Sequence, residues 1–307
     1  MAKTKKTPTH ALSYEEVQNI KAALWMVPQT PVTPQSRAAM LPKHMQPKAL
    51  DLFSAPPRAT LVAEGDSWFD YLPGLDVLDQ LKIRHGYDIV KLSAAGDTLE
   101  NIAFGTEINR DFSRMTPQIN TLIKTVSRVR PRVVLLSGGG NDIAGESLDA
   151  FLNHADSGLP GLRTDYMNDV FHGLFRSAFE RLAQSIWQID PNICVITHGY
   201  GRPIPDGRAV LNFPFNFRFV GPWIRPSFTR KNIMSLATAA GIVGTMIDEF
   251  NTMLEGLQTS LGPNFKYVDV RQVISSEDWV NELHLNNEAY GRVADAFHSV
   301  IKKRLAT

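Results

Sequence analysis

The sequence predicts an α/β fold in which a parallel sheet of five strands is covered by helices on both faces. From Arg58 onwards, short apolar segments alternate with longer segments that have apolar residues at helical spacing, a pattern typical of such sheets. Glycines and polar residues follow most of the apolar segments, where a functional site is expected in a parallel sheet. The predicted strands are Leu61 to Ala63, Asp88 to Leu92, Arg132 to Ser137, Ile193 to Thr197 and Phe265 to Val270.

Helices are predicted between these strands and at both ends of the chain. Ser13 is expected to cap the first helix, with Glu16 three residues later completing a capping box. The predicted helices run from Ser13 to Met26, Val77 to Leu81, Pro117 to Val129, Tyr166 to Trp187, Lys231 to Leu257 and Asn287 to Arg304.

Residues 1–57 are predicted to form a tail, this short helix and a proline-rich arm, with a small leading domain as the alternative. Seven prolines between Pro28 and Pro57 remove backbone donors and disfavour helix in the residues before them. Residues 58–307 are predicted to form the main domain, with an aromatic and proline-rich insertion at 199–228.

The composition is that of a globular protein and excludes several classes. The chain has 307 residues, is 43% hydrophobic and 21% charged, and has a formal net charge of +1. No global field therefore recruits nucleic acid or an anionic membrane. A single cysteine, Cys194, excludes an internal disulfide, and its apolar neighbours predict a core residue rather than a reactive thiol.

The N-terminus is basic, but no apolar segment of a secretory signal follows it. No apolar run of about 18 residues is present, so no transmembrane segment is predicted. The cytoplasm is the expected compartment, and export without a signal peptide is the alternative. Oligomeric state is left open.

The stretch from Leu61 to Asp70 suggests a nucleophile. An apolar run ends at Gly65, and Ser67 follows two residues later beside Asp66. This arrangement places a hydroxyl at the carboxyl edge of a sheet. A turn residue is the ordinary reading of such a serine, so the hypothesis depends on what the other strand ends provide.

Three of the other four strand ends supply a group that a nucleophilic serine needs. Gly96 follows the second strand, Asn141 the third, and His284 the segment after the fifth. Histidine is suited to take the serine proton near neutral pH. The backbone N–H groups of Ser67 and Gly96 and the side-chain amide of Asn141 would form an oxyanion hole. Asp66 and Asp142 are expected to brace loops or cap helices.

These residues resemble the sequence blocks of the GDSL, or SGNH, hydrolases. Gly65-Asp66-Ser67-Trp68 is similar to the first block, Ala95-Gly96-Asp97 to the second and Gly139-Gly140-Asn141-Asp142 to the third, and His284 to the last. The resemblance covers Arg58 to the C-terminus. It implies a flavodoxin-like three-layer αβα fold and ester hydrolysis through an acyl-serine, as in esterases and lipases, with no metal and no cofactor.

Two positions depart from the family pattern. Family members usually have aspartate three residues before the histidine, where this chain has Asn281, and often proline after it, where this chain has Leu285. The partner that orients His284 is therefore left open. Asn281 or a backbone carbonyl is the first candidate, since asparagine orients histidine in cysteine proteases; Asp278 and then Glu282 are the others.

Substrate contacts are predicted beside the nucleophile and in the insertion. Trp68 and Phe69 follow Ser67 directly, and His198 follows the fourth strand, where it is a rival base or a substrate contact. In the insertion, Phe215 belongs to a run of alternating phenylalanines, which suggests one apolar face. That face is read as a flap with its own small core, as a lid or acyl-binding wall, or as a partner or membrane contact.

Three functions are carried forward from the sequence. The first is a serine esterase acting on a small-molecule or lipid ester. The second is an acyltransferase on the same fold, and the third a binding protein with a degenerate site. Nucleotide binding is excluded because no Gly-x-Gly-x-x-Gly or phosphate-loop motif is present, and a metal centre because no ligand-spaced cluster is seen.

Overall fold

The structure, a computed structural model, describes residues 12–25, 58–210 and 221–306. The chain divides into two units, Met1–Pro56 with Leu72–Leu75 and Pro57–Tyr71 with Asp76–Thr307. In the first unit, helix α1 covers Tyr14–Trp25. The predicted capping box is confirmed, because the Glu16 carboxylate accepts the Ser13 N–H at 2.8 Å and the Ser13 hydroxyl accepts the Glu16 N–H at 3.2 Å. The arm at residues 26–57 stays a prediction, since it lies outside the described residues.

The second unit contains the predicted sheet. Its five strands are all parallel and lie in the order β2-β1-β3-β4-β5, which is the flavodoxin-like order. Strands β1, β3 and β4 are almost wholly buried, as strands with helices on both faces must be. The strands are β1 (Thr60–Glu64), β2 (Asp88–Lys91), β3 (Val133–Leu136), β4 (Cys194–His198) and β5 (Phe265–Val268).

Helices form the two outer layers. They are α2 (Val77–His85), α3 (Leu99–Phe104), α4 (Gln118–Val129), α5 (Gly140–Ile143), α6 (Thr164–Asn168), α7 (Arg176–Trp187), α8 (Arg225–Arg230), α9 (Leu236–Leu261) and α10 (Asn287–Ala306). Helix α2 packs against α10, whereas α7 packs against α3, α4 and α9. The three-layer αβα fold predicted from the sequence is confirmed.

Two predicted helices differ in detail from the observed ones. The helix predicted from Tyr166 to Trp187 begins at Thr164 and contains a π-helical stretch, Asp169–Phe175, between α6 and α7. The helix predicted from Lys231 begins at Leu236, because Ser235 caps it by accepting the Thr238 N–H at 3.2 Å. A separate short helix, α8, precedes it.

Within these described ranges, no helix is long and apolar enough to cross a membrane. In the same ranges, no group of three or more His, Cys, Asp or Glu side chains is arranged to hold a metal ion. Cys194 is buried in β4 as a free thiol, as its apolar neighbours predict.

Candidate active site

Ser67 lies in a tight turn directly after β1. The turn begins at Gly65, where a Cβ would lie 2.6 Å from the Cβ of Ser137 on the neighbouring strand, so only glycine fits. Asp66 then fixes the turn, because its carboxylate accepts the Trp68 N–H at 3.0 Å. Its role as a brace, predicted from the sequence, is confirmed. Ser67 is half-buried at the carboxyl edge of the sheet.

The hydroxyl of Ser67 lies 2.8 Å from Nε2 of His284, which comes from the loop before α10. The other ring nitrogen, Nδ1, lies 3.0 Å from Oδ1 of Asn281. The same oxygen accepts the backbone N–H groups of Leu283 and His284, at 2.9 and 3.0 Å. Because Oδ1 can only accept, Nδ1 carries the proton, and Nε2 is left to accept one from Ser67. The structure thus brings together the predicted nucleophile and base in the required tautomer.

The imidazole of His284 is enclosed by aromatic rings. Tyr71 stacks on it with ring centroids 4.2 Å apart, and Trp223 meets it edge-on at 5.7 Å. Tyr71 also receives a hydrogen bond from the Asn281 amide nitrogen, at 3.2 Å. This burial lowers the pKa of His284 to about 3, because desolvation penalises the imidazolium. The ring is therefore neutral, as a base must be, throughout the neutral pH range.

Asp278, a candidate to orient the histidine, has other partners. Its carboxylate accepts the Ser275 N–H at 2.6 Å and an Arg292 N–H at 2.5 Å. These bonds cap the short 3₁₀ helix Ser276–Asp278 and tie it to α10. The structure therefore places Asn281, and not Asp278, at His284. The reason is local: an asparagine three residues before histidine closes an Asx-type turn onto its own loop.

Glu282, the third candidate, is fully buried and binds backbone instead of the imidazole. One carboxylate oxygen accepts the N–H groups of Gly207 and Arg225, both at 2.9 Å. The other accepts those of Trp223 and Ile224, at 2.6 and 2.7 Å. We call these five residues the Glu282 clamp. The clamp fastens both described flanks of the aromatic insertion to the loop that carries His284.

Glu282→Gln is expected to lower the free energy of unfolding by roughly 3 kcal/mol. Glutamine keeps one acceptor oxygen and turns an amide N–H₂ towards two backbone donors, and each buried donor left unpaired costs about 1–3 kcal/mol. Urea denaturation followed by circular dichroism measures the difference. Glu277→Gln, an exposed change in the same loop, should leave the unfolding midpoint unchanged. An unaltered midpoint in Glu282→Gln would show that the clamp contributes nothing.

The three predicted oxyanion donors lie on three segments that hydrogen bonds join together. The Asn141 amide nitrogen donates to the backbone carbonyl of Asp97 at 2.8 Å, which leaves the second hydrogen of that nitrogen for another acceptor. Gly96 precedes Asp97, is exposed and has a φ of +92°, a conformation that favours glycine. The Asp70 carboxylate accepts the Ala95 N–H at 3.1 Å, which joins the same loop to the turn of Ser67.

Asp142 acts as the predicted helix cap. Its carboxylate accepts the N–H groups of Leu99 and Glu100, at 2.7 and 3.0 Å, at the beginning of α3. Burial raises the pKa of Asp142 to about 6, although these two backbone bonds oppose the rise. The cap fixes the loop after β3 against the loop after β2.

Aromatic side chains pack closely against two glycines, Gly139 and Gly140, that follow β3. Gly139 has a φ of +106°, and a Cβ there would lie 2.9 Å from the Phe250 ring of α9. A Cβ on Gly140 would lie 3.1 Å from the Tyr200 ring. In the structure, the close neighbours are the two rings, which thereby reach the vicinity of Asn141.

A cavity of about 60 Å³ opens beside Ser67. Ser67, Trp68 and Asn141 line it together with apolar side chains from α9 and from the segment after β3. Apolar lining residues include Ile143, Leu148, Val243, Met246, Ile247 and Phe250. No motif in the sequence indicates these six. For the four on α9 the one signal is apolar residues at helical spacing, which any core helix would also show.

Two of the predicted substrate contacts lie in the core. Phe69 is fully buried, with its ring 6.0 Å from that of Phe297. His198 is also fully buried and stacks on Trp68 with centroids 5.1 Å apart. The structure therefore places neither at the cavity, because Phe69 packs against α10 and His198, the last residue of β4, bonds to Ser137. Phe215 lies outside the described residues.

A second serine–histidine pair lies beneath the first. Nε2 of His198 is 2.8 Å from the Ser137 hydroxyl, which in turn donates to the Asp66 carboxylate at 2.6 Å. Both side chains are buried, at 0% and 2% exposure. The carboxylate contacts the serine rather than the histidine, and Nδ1 faces the Gly199 carbonyl at 2.7 Å. This pair is a buried link between β3, β4 and the turn of Ser67.

No protein-family model and no curated protein matches the sequence. Among solved structures, the lipase Lip_vut3 from a goat rumen metagenome is 14% identical, with 78% of this chain and 96% of the lipase covered and a TM-score of 0.50. A lipase from Streptomyces rimosus described as extracellular is 12% identical, with coverages of 78% and 99% and a TM-score of 0.48. A family 3 carbohydrate esterase from Clostridium thermocellum is 14% identical, with coverages of 81% and 98% and a TM-score of 0.44.

At such identities the likeness concerns the fold, and the goat rumen lipase carries it. The strand order β2-β1-β3-β4-β5 and the sequence blocks at the ends of β1, β2 and β3 agree with it. The chain therefore has the fold of the GDSL, or SGNH, hydrolases.

Proposed function

We propose that this protein belongs functionally to the serine hydrolases and cleaves carboxylic esters through an acyl-serine intermediate. One observation carries the proposal: the Ser67 hydroxyl lies 2.8 Å from Nε2 of a neutral, buried His284, whose Nδ1 is held at 3.0 Å by Asn281. A nucleophile, its base and an orienting group within hydrogen-bond reach are the signature of covalent catalysis. The fold, shared with a lipase, agrees with it.

The chemistry follows from the proton positions. Nε2 of His284 takes the proton of Ser67 as its Oγ bonds to the ester carbonyl carbon, and the carbonyl oxygen becomes an oxyanion. The N–H groups of Ser67 and Gly96 and the amide of Asn141 bind this oxyanion. When the carbon–oxygen bond to the alcohol breaks, the imidazolium returns the proton to the leaving oxygen. Water, deprotonated by the same histidine, then releases the acid and restores Ser67.

A fluorophosphonate probe tests the proposal directly, because it reacts with activated serines. We expect one equivalent of probe on Ser67, located by mass spectrometry of the peptides, and none on Ser137. Folded protein that takes up no probe would support the alternative of a binding protein with a degenerate site. Product analysis with an added alcohol separates hydrolysis from acyl transfer, since a transferase would yield a new ester.

Asn141→Ala is expected to lower kcat about 10²–10³-fold while KM changes little. Loss of one oxyanion donor typically costs this much because the interaction strengthens only as charge develops. Initial rates on a p-nitrophenyl ester measure the effect. Asn153→Ala, which removes an exposed amide bonded to the Pro160 carbonyl, is the matched control. Equal rates for Asn141→Ala and wild type would remove Asn141 from the oxyanion hole.

A further inference from the structure

The cavity beside Ser67 joins the nucleophile to a closed apolar wall. Met246 and Phe250 of α9 are 1% and 2% exposed, and Val243 and Ile247 of the same helix are each 5% exposed. These residues recur at helical spacing, so one face of α9 forms the wall. A group attached to Ser67 therefore leaves water for hydrocarbon surroundings.

Aromatic contacts on the side away from the cavity hold Phe250 of this wall in place. Phe250 packs on Gly139 and lies edge-on to Phe171 and Phe175, with centroids 5.9 and 6.0 Å away. The two phenylalanines stack on each other at 5.4 Å. A ring fixed on several sides does not swing aside to enlarge the cavity.

The two carboxylates that line the cavity, those of Asp66 and Glu282, accept hydrogen bonds from other groups of the protein. Asp66 accepts hydrogen bonds from Ser137 and from Tyr200, at 2.6 and 2.5 Å. Glu282 accepts the four bonds of the Glu282 clamp. Carboxylates beside the cavity disfavour an anionic group within it.

We propose that this cavity is the acyl-binding subsite and that it restricts the enzyme to esters of short, uncharged acids, from acetate to butyrate. The proposal rests on the proposed function. An apolar cavity of about 150 Å³ binds benzene, which has six carbons. The cavity of about 60 Å³ therefore accommodates roughly two to three carbons beyond the carbonyl carbon by the same ratio.

The test is an acyl-chain series of p-nitrophenyl esters from acetate to decanoate, with kcat/KM measured for each. Wild type should turn over acetate and butyrate at least tenfold better than octanoate. Met246→Ala removes part of the wall and should raise octanoate relative to butyrate about tenfold, since a methylene in an apolar pocket changes the rate by roughly 10-fold or more. p-Nitrophenyl hemisuccinate should be a poor substrate of both.

Met253→Ala is the matched control. Met253 is a second methionine of α9, equally buried at 1% exposure, about two turns beyond Met246 and outside the cavity lining. Both changes remove the same side chain from the same helix, so a general loosening of the fold would move both profiles alike. We expect the Met253→Ala profile to follow wild type.

Ala144→Leu tests the subsite in the opposite direction. Ala144 lines the cavity and is half-buried, so a larger side chain fits the fold with little repacking. It should lower butyrate turnover about tenfold more than acetate turnover. This variant tests the subsite even if Met246→Ala does not fold.

The outcomes separate this inference from the proposed function. Fluorophosphonate labelling of Ser67 with an optimum at octanoate or decanoate would overturn the short-chain subsite and leave the hydrolase standing. Identical profiles for Met246→Ala and Met253→Ala would remove α9 from the subsite. No turnover of any ester and no labelling would overturn both.

Discussion

Ser67→Ala is expected to lower kcat/KM on p-nitrophenyl butyrate about 10⁴-fold or more while the protein stays folded. Removing the nucleophile of a serine–histidine unit leaves only the oxyanion hole and binding, and such units lose about 10⁶ in rate when the serine is removed. The hydroxyl of Ser67 is half-buried and bonds to a side chain, so its loss disturbs little packing. Steady-state kinetics and a thermal melt measure both effects.

Ser137→Ala is the matched control, because Ser137 also faces a histidine. Its hydroxyl links Asp66 and His198 in the core, so its loss should cost roughly 1–3 kcal/mol of stability. Its kcat should stay within about tenfold of wild type. Loss of the Ser67 hydroxyl should thus mainly lower activity, whereas loss of the Ser137 hydroxyl should mainly lower stability. Full turnover in Ser67→Ala would end the proposed mechanism.

The orienting asparagine gives the second large effect. Asn281→Ala is expected to lower kcat about 10³–10⁴-fold, because the imidazole loses the acceptor that keeps the proton on Nδ1, and a wrong tautomer costs about 10⁴ in a serine triad. The two backbone N–H groups that share this acceptor also lose their partner. Single-turnover kinetics with excess enzyme isolate the acylation step in this variant.

Asn281→Asp separates orientation from charge. In wild type, burial lowers the pKa of His284 to about 3, and a base works above its own pKa. The acid limb of kcat/KM should therefore lie below about pH 5, well under the ordinary histidine value of about 6.5. An aspartate beside Nδ1 favours the imidazolium and raises this pKa, so the acid limb should move upward by at least one pH unit.

Circular dichroism across the same pH range is the control, since activity at pH 4 requires a folded enzyme. The lowered pKa of His284 also affects folding, because the unfolded chain binds its proton at about pH 6.5 and the folded chain does not. The free energy of unfolding is therefore expected to be highest above about pH 6.5 and to fall as the pH drops from there towards about 3. Acid limbs at pH 6.5 in both proteins would contradict the neutral-asparagine mechanism.

The sheet and the reacting groups were predictable because both leave local signals. Apolar strands interrupted by glycine can be read from neighbouring residues, and the carboxyl ends of parallel strands meet at one edge. The sequence alone therefore indicates Ser67, Asn141 and His284 as candidates, although their catalytic roles stay predictions. The partner that orients His284 could not be predicted, because the conformation of a short loop decides which of residues 278, 281 and 282 reaches the imidazole.

The cavity wall could not be predicted for a related reason. Phe250 reaches Gly139 across the fold, and nothing near either residue in the sequence records that contact. The partners of Glu282 are backbone N–H groups, which every residue except proline carries, so no pattern of side chains indicates them. Phe69 and His198 were assigned to the substrate by adjacency alone, and the direction of a side chain at a strand end is set by tertiary packing.

The Glu282 clamp has a consequence for how this region tolerates change in sequence. A single carboxylate holds Gly207 and the residues from Trp223 to Arg225, so two distant positions of the sequence are fixed to the loop that carries His284. In general, doubling the length of a closed segment costs only about 0.6 kcal/mol. We therefore expect insertions and deletions between residues 210 and 221 to leave the Ser67–His284 distance unchanged, which would make this part of the sequence a place where new substrate preferences can arise.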